Sequence, residues 1–281
     1  LIIGITGLLV DSAGNRRVAG AGKDTVADIL LVHRHVVKVA LADPLKRICQ
    51  DVYKFTYQQL WGESRYRNEP DRRYLRQAAG SLGWHGNDLN PKDDVYLTPR
   101  YALQQLGTEW ARKCYADTWV DYGIKVAQSL MSNTGVAYID HRGAVPRDAD
   151  VLAASLGLDQ EEEIEELEDE FAHYPEKVEH VAFSDVRFFS EVHAIKANGG
   201  KIIRVKRSVP GVFCDSFDDN HLSEREVATS EDDTFDYVLD NSSDLATLQL
   251  NVLRMFDVLT GRILPFDEAQ QDVPPFLRKG Q

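Results

Sequence analysis

Glycines, a lysine and a hydroxyl fall together at Gly20-Ala21-Gly22-Lys23-Asp24-Thr25, between an apolar run and a helical pattern. A polyphosphate needs many N–H donors in a tight concave turn, glycines so that the backbone can approach, and the positive end of a helix dipole. Lys23 adds a mobile cation for a transferring phosphoryl group. The segment meets the phosphate-binding spacing G-x-x-x-x-G-K-[S/T] in part. Arg17 stands where the first glycine belongs, Asp24 where a Mg²⁺-binding hydroxyl belongs, and the hydroxyl follows one residue late at Thr25. A loop insertion after Gly7 accounts for the first departure. Asp24 then holds Mg²⁺ directly or through water, with Thr25 beside it. A glycine-rich helix start without a ligand is the plain alternative.

Three other segments carry groups suited to the same chemistry. Ser184-Asp185-Val186-Arg187-Phe188 puts a carboxylate at the end of a buried strand, for metal-bound water or substrate, and an arginine that can clamp phosphate bidentately. A cap by Asp185 with a surface arginine is the alternative. Arg100 and Gln104 lie on one helical face, suited to a phosphate and a base edge, and Trp119 between Asp117 and Asp121 can stack on a base whose donors the acids receive. Core tryptophans and capping acids would look the same. Arg207 follows the run KIIRVK and precedes a Pro-Gly loop and His221-Leu222-Ser223-Glu224, where a mobile arginine loop would close over phosphates and exclude water. A lone surface arginine is the alternative there.

The elements that must position these groups alternate between strand and helix. Residues 1–6 read as a buried strand ending at Gly7, residues 8–19 as a loop or small hairpin, and AGAGKDTVADILL as a helix with Val26, Ile29 and Leu30 inward. Residues 36–41 form a second strand, and Asp43-Pro44 starts a helix with Asp43 as its cap. Residues 62–99 are polar and loop-rich. Leu103, Leu106 and Trp110 give 100–116 one apolar stripe, a helix follows over 118–131, and 135–139 is a short strand. Strands return at 180–185, 201–206 and 235–240. One helix between them has Phe188, Val192 and Ile195 inward. Another, capped from 241–244, bears Leu245, Leu248, Val252 and Met255. Apolar strands separated by helices mean a parallel sheet covered on both faces, with ligands beyond the carboxyl ends of the strands.

The 281 residues hold 43% hydrophobic side chains, enough for a packed core, and no apolar run long enough for a membrane helix. The run at Leu1 lacks the basic flank and cleavage site of a signal peptide. Net charge is −13, and the block EEEIEELEDE at 161–170 accounts for more than half of it. Its Ile164, Leu167 and Phe171 form one stripe, so 142–178 reads as an insertion with an acidic surface helix, a solubilising face or a dock for a basic partner. A nucleic-acid coat is not expected from this charge. Cys49, Cys114 and Cys214 are scattered and odd in number, which fits a reducing cytoplasm, and the eight histidines show no metal spacing.

Assembled, the chain resembles the deoxynucleoside monophosphate kinases of tailed bacteriophages. The resemblance rests on AGAGKDTVAD, LADPLK, TPRYALQQLGTEWAR, DTWV, SDVRFFSE, GGKIIRVKR and HLSE, in the family's order over most of the chain. The GKDT form is itself a family trait. The resemblance implies a single domain over 1–281 with the three-layer α/β/α P-loop fold and a mainly parallel sheet. Its excursions would be a helical substrate-binding one (54–134), the acidic insertion (142–178), a lid-like loop (207–234) and a tail (261–281). It implies transfer of the γ-phosphate of ATP to a dNMP with Mg²⁺, often by a dimer. Gly20, Ala21, Gly22, Lys23, Asp24 and Thr25 would hold ATP and metal, with Arg207 closing. Lys46, Arg67, Arg100, Gln104, Asp117, Trp119, Asp121 and Arg187 would hold the monophosphate. Lys23, Asp24, Asp185 and Arg207 would serve the transfer itself. The loop before Gly20 is longer than the family's turn, the acidic section is extra, and Phe-Ser in SDVRFFSE stands where the family shows Pro-Asn. Two other readings remain: a kinase for a modified base or hydroxymethyl group, free or in DNA, and a nucleotide-binding protein without catalysis.

Overall fold

The computed structural model describes residues 1–75, 96–132, 178–211 and 226–262, and the backbone of 139–140 and 143–144. In chain order the elements are β1 (Ile2–Val10), β2 (Arg16–Arg17), α1 (Lys23–Arg34), β3 (Val37–Val39), α2 (Asp43–Tyr53), α3 (Tyr57–Leu60), α4 (Ser64–Asn68), β4 (Asp71–Leu75), β5 (Tyr96–Leu97) and α5 (Pro99–Gln104). A π-helical stretch, Gln105–Arg112, continues α5. Then come α6 (Thr118–Ser132), β6 (Ile139–Asp140), β7 (Gly143–Ala144), β8 (Val181–Phe183), α7 (Phe189–Ala197), β9 (Lys201–Ser208), β10 (Tyr237–Asp240) and α8 (Leu245–Leu259).

The central sheet runs β10-β9-β1-β8-β3, all parallel, and β2 pairs antiparallel with the end of β1. Successive residues of its strands point to opposite faces, and both faces are covered. Ile3, Ile5, Ile203 and Val205 pack with Val26 and Leu30 of α1 and Val252 and Phe256 of α8. Ile2, Val39, Phe183 and Ile202 pack with Ile124 and Ala127 of α6 and Val192 and Ile195 of α7. The fold is thus a three-layer α/β/α sandwich with a mainly parallel sheet. A smaller cluster of Cys49, Phe55, Leu60 and Ala102 joins α2, α3 and α5 beside it, and burial there pushes the Cys49 thiol up to about 12. No helix among the described residues is long and apolar enough to cross a membrane.

Several elements depart from the sequence expectation, each for a local reason. β1 does not end at Gly7; it pairs with β9 as far as Val10↔Ser208. Residues 8–10 are therefore strand, and the turn is the tight hairpin knotted by Asp11, whose carboxylate accepts from the N–H groups of Ala13 and Asn15 and from Asn15 Nδ2. Trp110 is 58% exposed rather than inward, because the π-helical turn adds a residue and rotates it off the stripe begun by Leu103. Asp43 is the first residue of α2 rather than its cap; its buried carboxylate accepts from Lys46 Nζ (3.0 Å) and Trp61 Nε1 (2.9 Å). Leu245 is exposed, whereas Leu248, Val252 and Met255 are buried. Asp244 does cap α8, accepting from Thr247 N–H. The acidic block, residues 135–138 and most of the tail lie outside the described residues.

Candidate active site

The phosphate-loop candidate folds back onto the strand that precedes the inserted hairpin. A Cβ on Gly7 would lie 2.2 Å from the Val18 carbonyl oxygen and 3.0 Å from Ala21 Cβ. The missing side chain is what lets residues 18–21 rest on β1. Gly7 thus underlies the loop, and the hairpin is inserted between it and Gly20. Gly20 and Gly22 have φ of 84° and 91°, a region that non-glycine residues rarely enter. Asn241, just after β10, donates from Nδ2 to the Ala21 carbonyl oxygen (2.8 Å) and packs where a Gly22 side chain would be. The turn therefore delivers the chain into α1 at Lys23, where the first helical N–H groups lack intrahelical acceptors.

Lys23 is 7% exposed, with Nζ 3.3 Å from Asp24 Oδ2. The Asp24 side chain keeps 61% of its surface exposed. Desolvation by the cleft wall opposes its ionisation, but Lys23, Lys38 and Lys46 outweigh that and hold its carboxyl below the usual range. An exposed, firmly ionised carboxylate with Thr25 beside it is a donor set that fits a hard divalent cation sharing its shell with water and phosphate. Among the described residues no group of three His, Cys, Asp or Glu side chains forms a protein-only metal cage.

From this turn a cleft of about 740 Å³ extends between the sheet and the helical excursion. Gly20, Gly22, Lys23, Asp24 and Thr25 line one end. Lys46, Arg67, Arg100, Gln104, Trp119, Asp185 and Arg187 line the rest. Arg67 is aimed by donation to the carbonyls of Leu60 and Gly62 and to Ser64 Oγ; burial and the neighbouring Arg187 lower its pKa, while Asp24 works the other way. Arg100 Nε donates to Asn68 Oδ1. Trp119 spends its indole N–H on the Gly107 carbonyl (3.0 Å), which fixes the ring at the cleft wall. Asp185 accepts from the Leu41 and Ala42 N–H groups at 2.7 and 3.1 Å and so clamps the turn into α2; burial raises its pKa against the pull of the Leu41 N–H.

Four expected residues lie elsewhere. Ala21 is buried under Asn241 and presents only backbone. Asp121 accepts from the Tyr115 hydroxyl (2.6 Å) in the first turn of α6, and Asp117 precedes that turn; neither lines the cleft. Arg207 is an exposed residue of β9 rather than of a loop, because the strand continues to Ser208. His221 to Glu224 lie outside the described residues.

Sequence reasoning missed three groups. Asn241 was read only as part of a helix cap. Glu191 is 4% exposed at the cleft wall and accepts from the N–H groups of Arg187 (2.7 Å) and Phe188 (3.1 Å); burial lifts its carboxyl to about 7 against those bonds. Arg112 lies 3.8 Å from Glu191, over the Phe188 ring (3.5 Å to its centroid). A glutamate at the third position of a helix is a recognisable signal for bonding back to the helix start, and α7 carries it.

The sequence matches no family model. Over 238 residues, covering 85% of this chain and 92% of the other, it is 26% identical to a protein of Acanthamoeba polyphaga mimivirus that bears the name "Putative deoxynucleotide monophosphate kinase".

Proposed function

We propose that the protein transfers the terminal phosphoryl group of ATP to the phosphate of a deoxynucleoside 5′-monophosphate, giving ADP and a dNDP. The observation that carries this reading is the continuity of one cleft from the helix-terminal turn at Gly20–Thr25 to the cationic wall of Arg67, Arg100 and Arg187. Two anions can lie there end to end, with Lys23 and Asp24 at one end of the row. The name of the viral relative supports the same chemistry.

Phosphoryl transfer asks little covalent chemistry of a protein; it asks for alignment and for neutralisation of charge. The backbone N–H groups at the start of α1 hold the donor phosphates, and Lys23 carries positive charge to the transferring group. Arg187 and Arg100 grip the acceptor phosphate, and the Trp119 ring offers a stacking face for a base. Asp24, with Thr25, would hold Mg²⁺, which when bound offsets charge between the donor phosphates. A monophosphate is already ionised near neutral pH, so no strong general base is required.

The test is ADP release from MgATP with each dNMP, the corresponding NMPs and a hydroxymethylated pyrimidine monophosphate. Turnover with a dNMP that is lost in Lys23→Ala is the expected result. Silence across the panel, with ATP still bound, overturns it in favour of a different acceptor or of binding without catalysis.

A further inference from the structure

The inserted hairpin sets Arg17 beside the phosphate loop, in one row with Arg207 of β9. Leu9 of β1 is in register with Arg17 of β2 on one side and with Arg207 of β9 on the other. Residues in register on neighbouring strands project to the same face. That face is the one beneath the loop: Leu9 Cδ2 lies 3.2 Å from the place of a Gly20 Cβ, and Arg17 Nη2 lies 3.9 Å from it. With strands roughly 4.8 Å apart, the two arginine backbones stand roughly 10 Å apart, astride the turn at Gly20.

The hairpin that carries Arg17 is built to hold position. Asp11 is 5% exposed and knots the tip. Ser12 N–H donates to the Gly211 carbonyl, Val209 N–H donates to the Val10 carbonyl, and Leu8, Val10 and Val18 pack against Ala228. A solvated surface loop needs none of these ties. Arg17 is half-buried, so its guanidinium reaches Gly20 with much of its freedom already lost, which favours ligand binding over random surface exposure.

We propose that Arg17 is a binding residue for the donor nucleoside triphosphate, acting with Arg207 as a cationic lip along the outer side of the phosphate loop. This rests on the kinase reading, and it assigns to the hairpin the role of extending the phosphate cradle. A guanidinium suits the task because it meets phosphate oxygens with a planar pair of donors, as lysine cannot. The row also gives Arg207 a role from a rigid strand rather than from a closing loop.

The test is steady-state kinetics of Arg17→Ala and Arg17→Lys with MgATP and the preferred dNMP, with calorimetric titration of MgATP and thermal melts of both variants. Arg17→Ala is expected to raise the KM for ATP tenfold or more, leave the KM for the dNMP within twofold, and weaken MgATP binding in parallel. Arg17→Lys is expected to recover only part of the loss. An unchanged KM for ATP and unchanged MgATP affinity in Arg17→Ala overturn the proposal while leaving the kinase reading in place. Equal rises in both KM values with a lowered Tm also overturn it, since that is the mark of a merely structural arginine. If the wild-type chain turns over no dNMP, the kinase reading fails, and the calorimetric comparison alone decides the role of Arg17. If Arg17→Ala does not fold, Arg17→Lys decides by the same two readouts.

Discussion

The two ends of the cleft are made in opposite ways. The end proposed for the donor is mostly backbone: a turn with two left-handed glycines lies on the bare Gly7 of a central strand, and Asn241 holds it from across the sheet. The acceptor end is mostly side chains, with Arg67 from α4, Arg100 from α5, Trp119 from α6 and Arg187 from the approach to α7. Arg67, Arg100 and Trp119 are each aimed by their own partners. Backbone donors cannot be removed by changing a side chain, so the donor end is broken through its glycines or its lysine. The acceptor end can be dismantled one arginine at a time. On the proposed reading, one end would serve a chemistry common to all triphosphates, and the other would leave room for selectivity.

The largest expected effect is at the donor end. Lys23→Ala lowers turnover by roughly 10²–10³-fold or more, the scale of losing one group that stabilises transition-state charge. The KM for the monophosphate should stay nearly constant, and a fall in its affinity equal to the fall in turnover would erase the distinction between the ends. Next, Arg187→Ala raises the KM for the dNMP by roughly tenfold to a hundredfold, the scale of charge-assisted hydrogen bonds, and leaves the KM for ATP unchanged. A matching rise for ATP would show that the arginine wall serves both substrates.

A third effect concerns pH. The Glu191 carboxyl at about 7 is above its ordinary value of 4.5. Between those values the folded chain holds a proton that the unfolded chain has lost, so this group's contribution to stability falls as pH rises from about 4.5 to 7 and levels off above. Glu191→Gln removes the dependence, worth on the order of 1–3 kcal/mol across the interval. Thermal melts at pH 5 and pH 7.5 should therefore show the variant gaining on the wild-type chain at the higher pH. A constant difference would mean that Arg112 keeps Glu191 ionised throughout. The smallest effect is that of Gly22→Ala. Its left-handed backbone costs roughly 1–2 kcal/mol in a non-glycine residue, and the new methyl displaces Asn241. The KM for ATP should rise while that for the dNMP holds. Asn241→Ala should reproduce that rise through loss of the bond to Ala21.

The turn into α1 is legible because its signal is local: glycines, a lysine and a helix pattern follow one another within six residues. The strands were legible because both faces of the sheet are buried and the runs are continuously apolar. What escaped notice acts over distance. Asn241 reaches Ala21 across 220 residues of chain, and no spacing rule links them. Trp110 leaves the predicted stripe because one π-helical turn breaks the 3.6-residue rhythm of an α-helix. The Pro-Gly pair soon after Arg207 suggests a loop, but pairing with β1 keeps the strand going. Asp121 looked available to a base, but Tyr115, six residues before it, already holds it.

The position of β1 in the sheet has a consequence for the order of events during synthesis. Its parallel neighbours are β8 and β9, which begin at Val181 and Lys201, and the loop it supports is locked by Asn241. Strand β1 must wait for the synthesis of β8, more than 160 residues later, before it gains a parallel partner. Until then, among the described residues, the native partner open to the apolar run Ile2–Val10 is its own hairpin. Contacts so far apart in sequence slow folding and leave strand edges open to other chains. At a synthesis rate of roughly 5–20 residues per second, the nascent protein carries that exposed run for roughly ten seconds or more. A holdase that binds apolar strand segments would raise the yield of folded protein, and the cleft at Gly20–Thr25 would be among the last parts of the molecule to form.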